Sequence, residues 1–399
     1  MTNNPTGFKI TDTAAGWNRA DFDDVFVRKD CFLEGGLWLW GAGYAGQLGN
    51  NAITNRSSPV QTISGGANWK SVNGGGYHNA AIKTDGTLWT WGNGSFGVLG
   101  NNAGINQSSP VQTISGGTNW RTASAGMRHI AAIKTDGTLW IWGRGNFGIL
   151  GNNAIIDISS PVQTISGGTN WQTVSAGGYH TGVIKTDGTL WLWGFGTSGQ
   201  LGNNSNINQS SPVQTISGGT NWRTVSAGGQ HTVAIKTDGT LWTWGYGNRG
   251  QLGNDSIIRH SSPIQTVSGG TNWRSVSGAG SVTSAIKTDG TLWLWGLGSF
   301  GQLGNNAGIN QSSPIQTISG GTNWRSVVIS AAPLGTAALS AAMKTDGTLW
   351  AWGYGNGGQM GNNSNLNQSS PVQTISGGTN WRLVGSGITH ITAIREDCW

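Results

Sequence analysis

Apolar and polar positions along this chain follow a short period laid inside a long one. The string LWxWG begins at Leu37, Leu88, Leu139, Leu190, Leu241, Leu292 and Leu349, with five spacings of 51 residues and one of 57. On a strand its two Trp lie two apart and share one face. Leu and the variable middle residue (Leu39, Thr90, Ile141, Leu192, Thr243, Leu294, Ala351) take the other face. A strand that is mostly apolar on both faces is expected between two other sheets. Each unit then runs through a Gly-rich loop, SSP(V/I)QT, SGGxNW, a β-branched run, a variable loop, an HxxAI-like run and KTDGT. The Asp-Gly pair predicts a hairpin, since Gly supplies the positive φ of such turns. The one Pro per unit is expected at the first residue of its strand, where a missing N–H is tolerable.

Four short antiparallel strands per unit, seven times over, predict an all-β seven-bladed β-propeller. An open solenoid would need polar caps, and none is visible. Ring closure is expected from pairing the last strand, Ile391 to Ile394, with the first LWxWG strand at Leu37 to Gly41; this removes both open edges. Val25 to Asp30 resembles the same strand and competes for that place. The domain reading is residues 1–36 as an N-terminal arm and 37–399 as the propeller.

Composition sharpens this picture. The chain has 399 residues with 69 Gly and 23 Trp, of which 21 fall three per unit. Collagen's strict Gly period is absent, and disorder does not accompany so many Trp. No run approaches the roughly 20 apolar residues of a membrane helix, and the leader lacks an apolar signal core. Membrane insertion and a signal peptide are therefore not expected, and a soluble location is. Inter-blade packing is the expected role of the Trp.

The net charge of +6 traces to one repeated set. Thirteen cations occupy the KTDG turns (Lys83 to Arg395) and the position after the third Trp (Lys70, Arg121, Arg223, Arg274, Arg325, Arg382), against seven turn acids from Asp85 to Asp397. Solvated turn charges, with Asp bonding its own turn, are the expected reading; a ring that binds phosphate or an anionic glycan is the alternative. No specific nucleic-acid binding is expected. Five of six His (His78, His129, His180, His231, His390) share one repeated place, which suits structural hydrogen bonding rather than a converging metal site; His260 sits alone in a variable loop. Glu34 and Glu396 are the only Glu, and no nucleophile elbow, P-loop or zinc-protease motif occurs. No cofactor, no metal and no enzymatic activity are expected.

Variation between units points to a binding face. The KTDGT and SGGTN turns fall on one face and hardly vary, while the loops after LWxWG and before HxxAI fall on the other and vary strongly. The candidate binding residues lie there: Tyr44, Tyr77, Phe96, Arg128, Arg144, Phe147, Tyr179, Phe195, Tyr246, Arg249, Phe300 and Tyr354, with Pro333 and Leu334 in the insertion. Tyr and Arg are frequent interface anchors; drift among tolerant loops is the alternative. Cys31 and Cys398 flank the expected seam; a disulfide between them is one reading and two free thiols the other. The arm, with Asp21, Asp23, Asp24 and four Phe, docks either on a partner or along the propeller.

In the fourth unit Trp193-Gly194, Gly199-Gln200-Leu201-Gly202, Val225, Ala227-Gly228, His231 and Asp238-Gly239 resemble the repeats of the regulator of chromosome condensation family, and the match extends through every unit. The resemblance implies the same seven-bladed fold. Its members include a chromatin-bound nucleotide exchange factor and a bacterial β-lactamase inhibitor; five of the six spacings leave no room for the exchange factor's projecting wedge. The near-identical units and the leader DDVFVRKDCFLEGGLWLWG are also similar to repeat proteins among marine bacteriophage structural proteins. That looser likeness implies a virion component with virion proteins or a host surface as partners; a soluble enzyme inhibitor or glycan-binding module is the alternative. Fold alone does not choose between them.

Overall fold

The computed structural model describes residues 35–63, 66–216, 219–330, 338–375 and 378–396. Its twenty-eight strands, β1 to β28, form seven four-stranded antiparallel sheets. In one blade β3 (Trp69–Gly74), β4 (His78–Lys83), β5 (Leu88–Gly92) and β6 (Gln107–Gln112) pair in that order. The inner strands line a narrow axial cavity of Gly, Ala and Ser. A blade thus takes its two inner strands from one sequence unit and its two outer strands from the next.

The ring closes as expected. One sheet has the order β2 (Arg56–Gln61), β1 (Gly35–Gly41), β28 (His390–Glu396), β27 (Trp381–Ser386). Its seam runs in unbroken register from Gly35 opposite Glu396 to Gly41 opposite His390. Val25 to Asp30 lie outside the described residues, and the place they would contest beside β1 is filled by β28. Across the neighbouring blades Trp40 Nε1 donates to the Gln359 carbonyl at 2.9 Å and Arg382 donates to the Trp69 carbonyl at 2.7 Å.

Tryptophan sets the spacing between blades. The second Trp of each LWxWG is fully buried, and its indole N–H donates into the preceding blade's loop: Trp91 to Gln47 O at 3.0 Å, Trp142 to Val98 O at 2.9 Å, Trp193 to Ile149 O at 2.8 Å. Each such ring combines burial of about 200 Å², roughly 5 kcal/mol gross, with one directional bond that fixes the angle between blades. The third Trp is also buried, whereas the first is only half-buried.

Several expectations need correction. The turn lysines are not merely solvated. Lys134 Nζ lies 4.2 Å from the Trp140 ring centre and 4.9 Å from that of Trp120, and the same stack recurs at Lys83, Lys185, Lys236, Lys287 and Lys344. A half-buried indole needs a cover that keeps one end in water, and a long cationic stem provides it. The arginines after the third Trp are not turn charges either: Arg121, Arg223 and Arg274 donate to next-blade carbonyls at Trp171, Trp273 and Trp324. Proline is the fourth residue of its strand, not the first, as at Pro59 in Arg56–Gln61. It is accommodated because β2 is an outer edge strand whose ladder to β1 skips between Val60 and Arg56. His260 begins an outer strand rather than sitting in a loop.

The Asp-Gly turns form as predicted. Gly86 has φ +80°, and a Cβ there would meet the Thr118 carbonyl at 2.0 Å. Asp85 Oδ1 accepts from Thr87 N–H and Thr87 Oγ1, and Thr87 Oγ1 accepts from Trp89 Nε1, so each acid anchors a Trp through one threonine. Those hydrogen bonds from Thr87 hold the Asp85 carboxyl below its ordinary range, as happens at the equivalent acids.

Candidate functional site

Antiparallel strands put the 75–77 turn and the 93–106 loop at the opposite end of the blade from the Asp-Gly turn. Around the axis the inner turns bond to one another: Gly76 N–H to Gly126 O, Met127 N–H to Gly177 O, Gly178 N–H to Gly228 O, Ile388 N–H to Gly75 O. This belt supports the side chains that rise from the face. Met127, Leu297 and Ile388 join one apolar cluster, against which Tyr77 and Tyr179 pack.

The predicted residues fall into separate groups. Tyr44 and Tyr77 stack with centres 5.7 Å apart. Burial, reinforced by Tyr77, pushes the Tyr44 hydroxyl up to about 12. Phe147, Tyr179 and Phe195 form a triad with centres 4.9 to 6.2 Å apart. Between these groups Arg128 and Arg144 both lie over Phe96, at 5.3 and 4.9 Å. Together they make an arc over consecutive blades. Phe300 and Tyr354 pair at 5.9 Å, while the Tyr246 hydroxyl accepts from neighbouring Asn248 and Arg249 stands exposed. Pro333, Leu334, Cys31 and Cys398 lie outside the described residues.

Two residues that sequence reasoning passed over shape the arc. In five units a Gln side chain accepts the N–H two residues earlier: Ala45 to Gln47, Ser198 to Gln200, Arg249 to Gln251, Phe300 to Gln302 and Gly357 to Gln359, at 2.7 to 3.0 Å. Val98 and Ile149 replace that Gln. Without the acceptor the local turn is a short 3-10 segment in which Phe96 and Phe147 adopt φ of +64° and +61°. Non-Gly residues rarely accept that region. Both rings stand partly in solvent, 38% and 37% exposed. The signal was in the sequence as the departure from GQLG to GVLG and GILG.

The repeated histidines are structural, as expected, and their bonds run from blade to blade. His129, His180 and His231 meet Thr181, Thr232 and Thr283 at 2.8 to 2.9 Å, and His390 meets Asn79 across the seam at 2.7 Å. Each of those threonines donates onward to a carbonyl, so the His donates from Nε2. Burial lowers these His to about 3 or 4. His78 differs in its partner: the matching position in the next blade is Ile130, and the ring bonds to the His129 backbone, leaving Nε2 without a hydrogen-bond partner among the described residues. Among the described residues no three His, Cys, Asp or Glu side chains converge on a metal position, and no helix is long and apolar enough to cross a membrane.

This is a closed seven-bladed propeller with one uniform face and one face bearing an aromatic and arginine arc. The chain belongs to the regulator of chromosome condensation (RCC1) repeat family, whose profile matches residues 34–82, 85–133, 136–184, 187–235, 238–286, 289–339 and 346–394. It is 31% identical over 348 residues to the ultraviolet-B receptor UVR8 of Arabidopsis thaliana, covering 83% of this chain and 76% of that protein. It is 26% identical to the human E3 ubiquitin-protein ligase HERC2, covering 90% of this chain but 8% of that protein. Among solved structures, Prp20p of Saccharomyces cerevisiae, described with its binding to Gsp1p and histones, superposes with a TM-score of 0.80 at 19% identity, covering 92% of this chain and 93% of that one. Human WBSCR16 superposes with a TM-score of 0.77 at 18% identity, covering 92% of this chain and all of that one. At these identities the superpositions establish the fold.

Proposed function

We propose that the protein is a non-catalytic binding propeller that recognises a protein partner through the arc from Tyr44 to Phe195. The observation that carries this reading is the pair Arg128 and Arg144 stacked on an exposed Phe96 beside the Phe147–Tyr179–Phe195 triad. Aromatic rings with arginines make strong interface anchors, and Prp20p, which shares the fold, also binds protein partners. Affinity capture from the producing cells tests it. Partners held by the wild type should be lost with F147A/Y179A/F195A and kept with K70A/Q172A on the opposite side. Equal capture by the triple variant overturns the reading.

A finer version makes the protein a component of a bacteriophage particle. The near-identical units and the leader sequence favour it; the relatives named above are plant, human and yeast proteins. Imaging of purified particles with a labelled binder tests it, and recovery of the chain only outside particles counts against it. Glycan-array binding lost on changing Phe195 and Tyr246 would favour a lectin-like module instead.

A further inference from the structure

Arg128 and Arg144 present an unusual charge arrangement. Two guanidinium groups share one ring, and no carboxylate pairs with either among the described residues. The acids in the described loops of this face are already engaged: Asp157 accepts the Gly145 N–H and Asp255 accepts the Ser312 hydroxyl. Like charges held together without a counterion raise the local potential and favour an anionic group between them. Beside them lies a cavity of about 190 Å³ between Tyr77, Phe96, Met127 and Arg128. The site therefore asks for carboxylates next to an apolar ring.

We propose that this arc receives the Asp21-Phe22-Asp23-Asp24-Val25-Phe26 segment of a second copy of the chain. The inference rests on the loop face being the recognition surface and names its occupant. No other six-residue stretch of the sequence holds three carboxylates, and this one also holds two Phe. The three acids complement the two arginines, and Phe22 and Phe26 match the cavity and the aromatic triad.

Chain geometry selects a second copy over the same one. β1 starts at Gly35, opposite Glu396 and bridged to Asn68, on the Asp-Gly face, and ends at Gly41 on the loop face. The segment is therefore tethered on the side opposite the arc. From Asp24 to Gly35 the chain reaches at most about 38 Å. Rising the length of β1 takes about 23 Å, and passing outward around β2 and back takes about 5 Å per strand each way. The loops at both rims and the sideways step to the Phe96 blade exceed what is left. A contact between unlike faces is heterologous, so copies join head to tail.

Sedimentation velocity of the full-length chain tests this. The wild type should show concentration-dependent species beyond the monomer at about 50 mM salt that weaken at about 500 mM. R128D/R144D and D21R/D23R/D24R should each weaken self-association at least about tenfold. An equimolar mixture of the two variants should recover it to within about threefold, because each reversed surface then meets its complement. A wild type that stays monomeric, a reversed variant that associates like the wild type, or a mixture that stays monomeric overturns the proposal. Partner capture that persists in the face of such a result leaves the loop-face reading standing, so the two failures are distinguishable.

Discussion

Five buried histidines make the fold sensitive to mild acid, and the effect can be worked out from their bonds. Four donate from Nε2 to a next-blade side chain and His78 bonds to the His129 backbone, and one ring nitrogen of each has no hydrogen-bond partner among the described residues. Protonation would leave a second buried N–H without an acceptor. Their folded pKa values lie at about 3 to 4, against about 6.5 in the unfolded chain. Between those values the unfolded state binds more protons, so stability is full above 6.5 and falls as pH drops towards 4. From pH 7.5 to 5.5 each His loses about 1.4 kcal/mol, and five lose about 7 kcal/mol as an upper bound, comparable with the whole stability of a domain. The carboxylate contribution acts lower, because the turn acids are depressed and their stabilisation is lost only as pH falls below the ordinary Asp range.

The chain itself supplies the control. Leu339 takes the His place in one blade and shares an apolar cluster with Ile391, the next-blade residue at the Thr181 position. H129L/T181I copies that pair. Urea unfolding followed by Trp fluorescence at pH 7.5 and 5.5 should show a steep loss in the wild type and about one fifth less in the double variant. A wild-type stability that is flat over this range, or an unchanged slope in the variant, refutes the argument.

Other outcomes follow from the same contacts. K134Q should destabilise by about 0.5–2 kcal/mol through loss of the cation over Trp120 and Trp140; K134M, which keeps the stem, separates packing from charge. A chain ending at Thr389 loses β28 and leaves β1 with an open edge. It should lose the single cooperative unfolding transition and aggregate, as read by scanning calorimetry and light scattering.

The architecture was legible because the repeat is long, regular and rich in unambiguous marks. LWxWG, Asp-Gly and the 51-residue spacing yield seven blades, and the unpaired strands at the two ends yield the seam. Contacts between repeats were harder to read, since residues about fifty apart become neighbours only once the ring closes. Arg121 reaching Trp171 and His129 reaching Thr181 both follow that offset. Lys134 over two indoles needs the turn and two strands in place at once, so net charge alone suggested solvated groups. Among the candidate residues, the sequence located the variable face. It did not reveal that Phe96 to Phe195 gather while Tyr246 and Arg249 remain apart, because that depends on backbone direction in each loop.

That backbone direction gives the strongest reason to regard the arc as a built feature. Departures from the repeat elsewhere are compensated: Leu339 packs with Ile391, and Val282 puts no polar atom opposite Ser340, whose hydroxyl donates to Gln302 O instead. The uncompensated departures concentrate in neighbouring blades. Val98 and Ile149 remove two turn acceptors, and Phe96 and Phe147 adopt left-handed φ. Sparsely populated backbone of this kind costs about 1–3 kcal/mol per site. Drift in tolerant loops would scatter such costs around seven equivalent positions, and each could be relieved by the Gln already present in the other units. Their grouping beneath two arginines and three stacked rings supports the recognition surface proposed above.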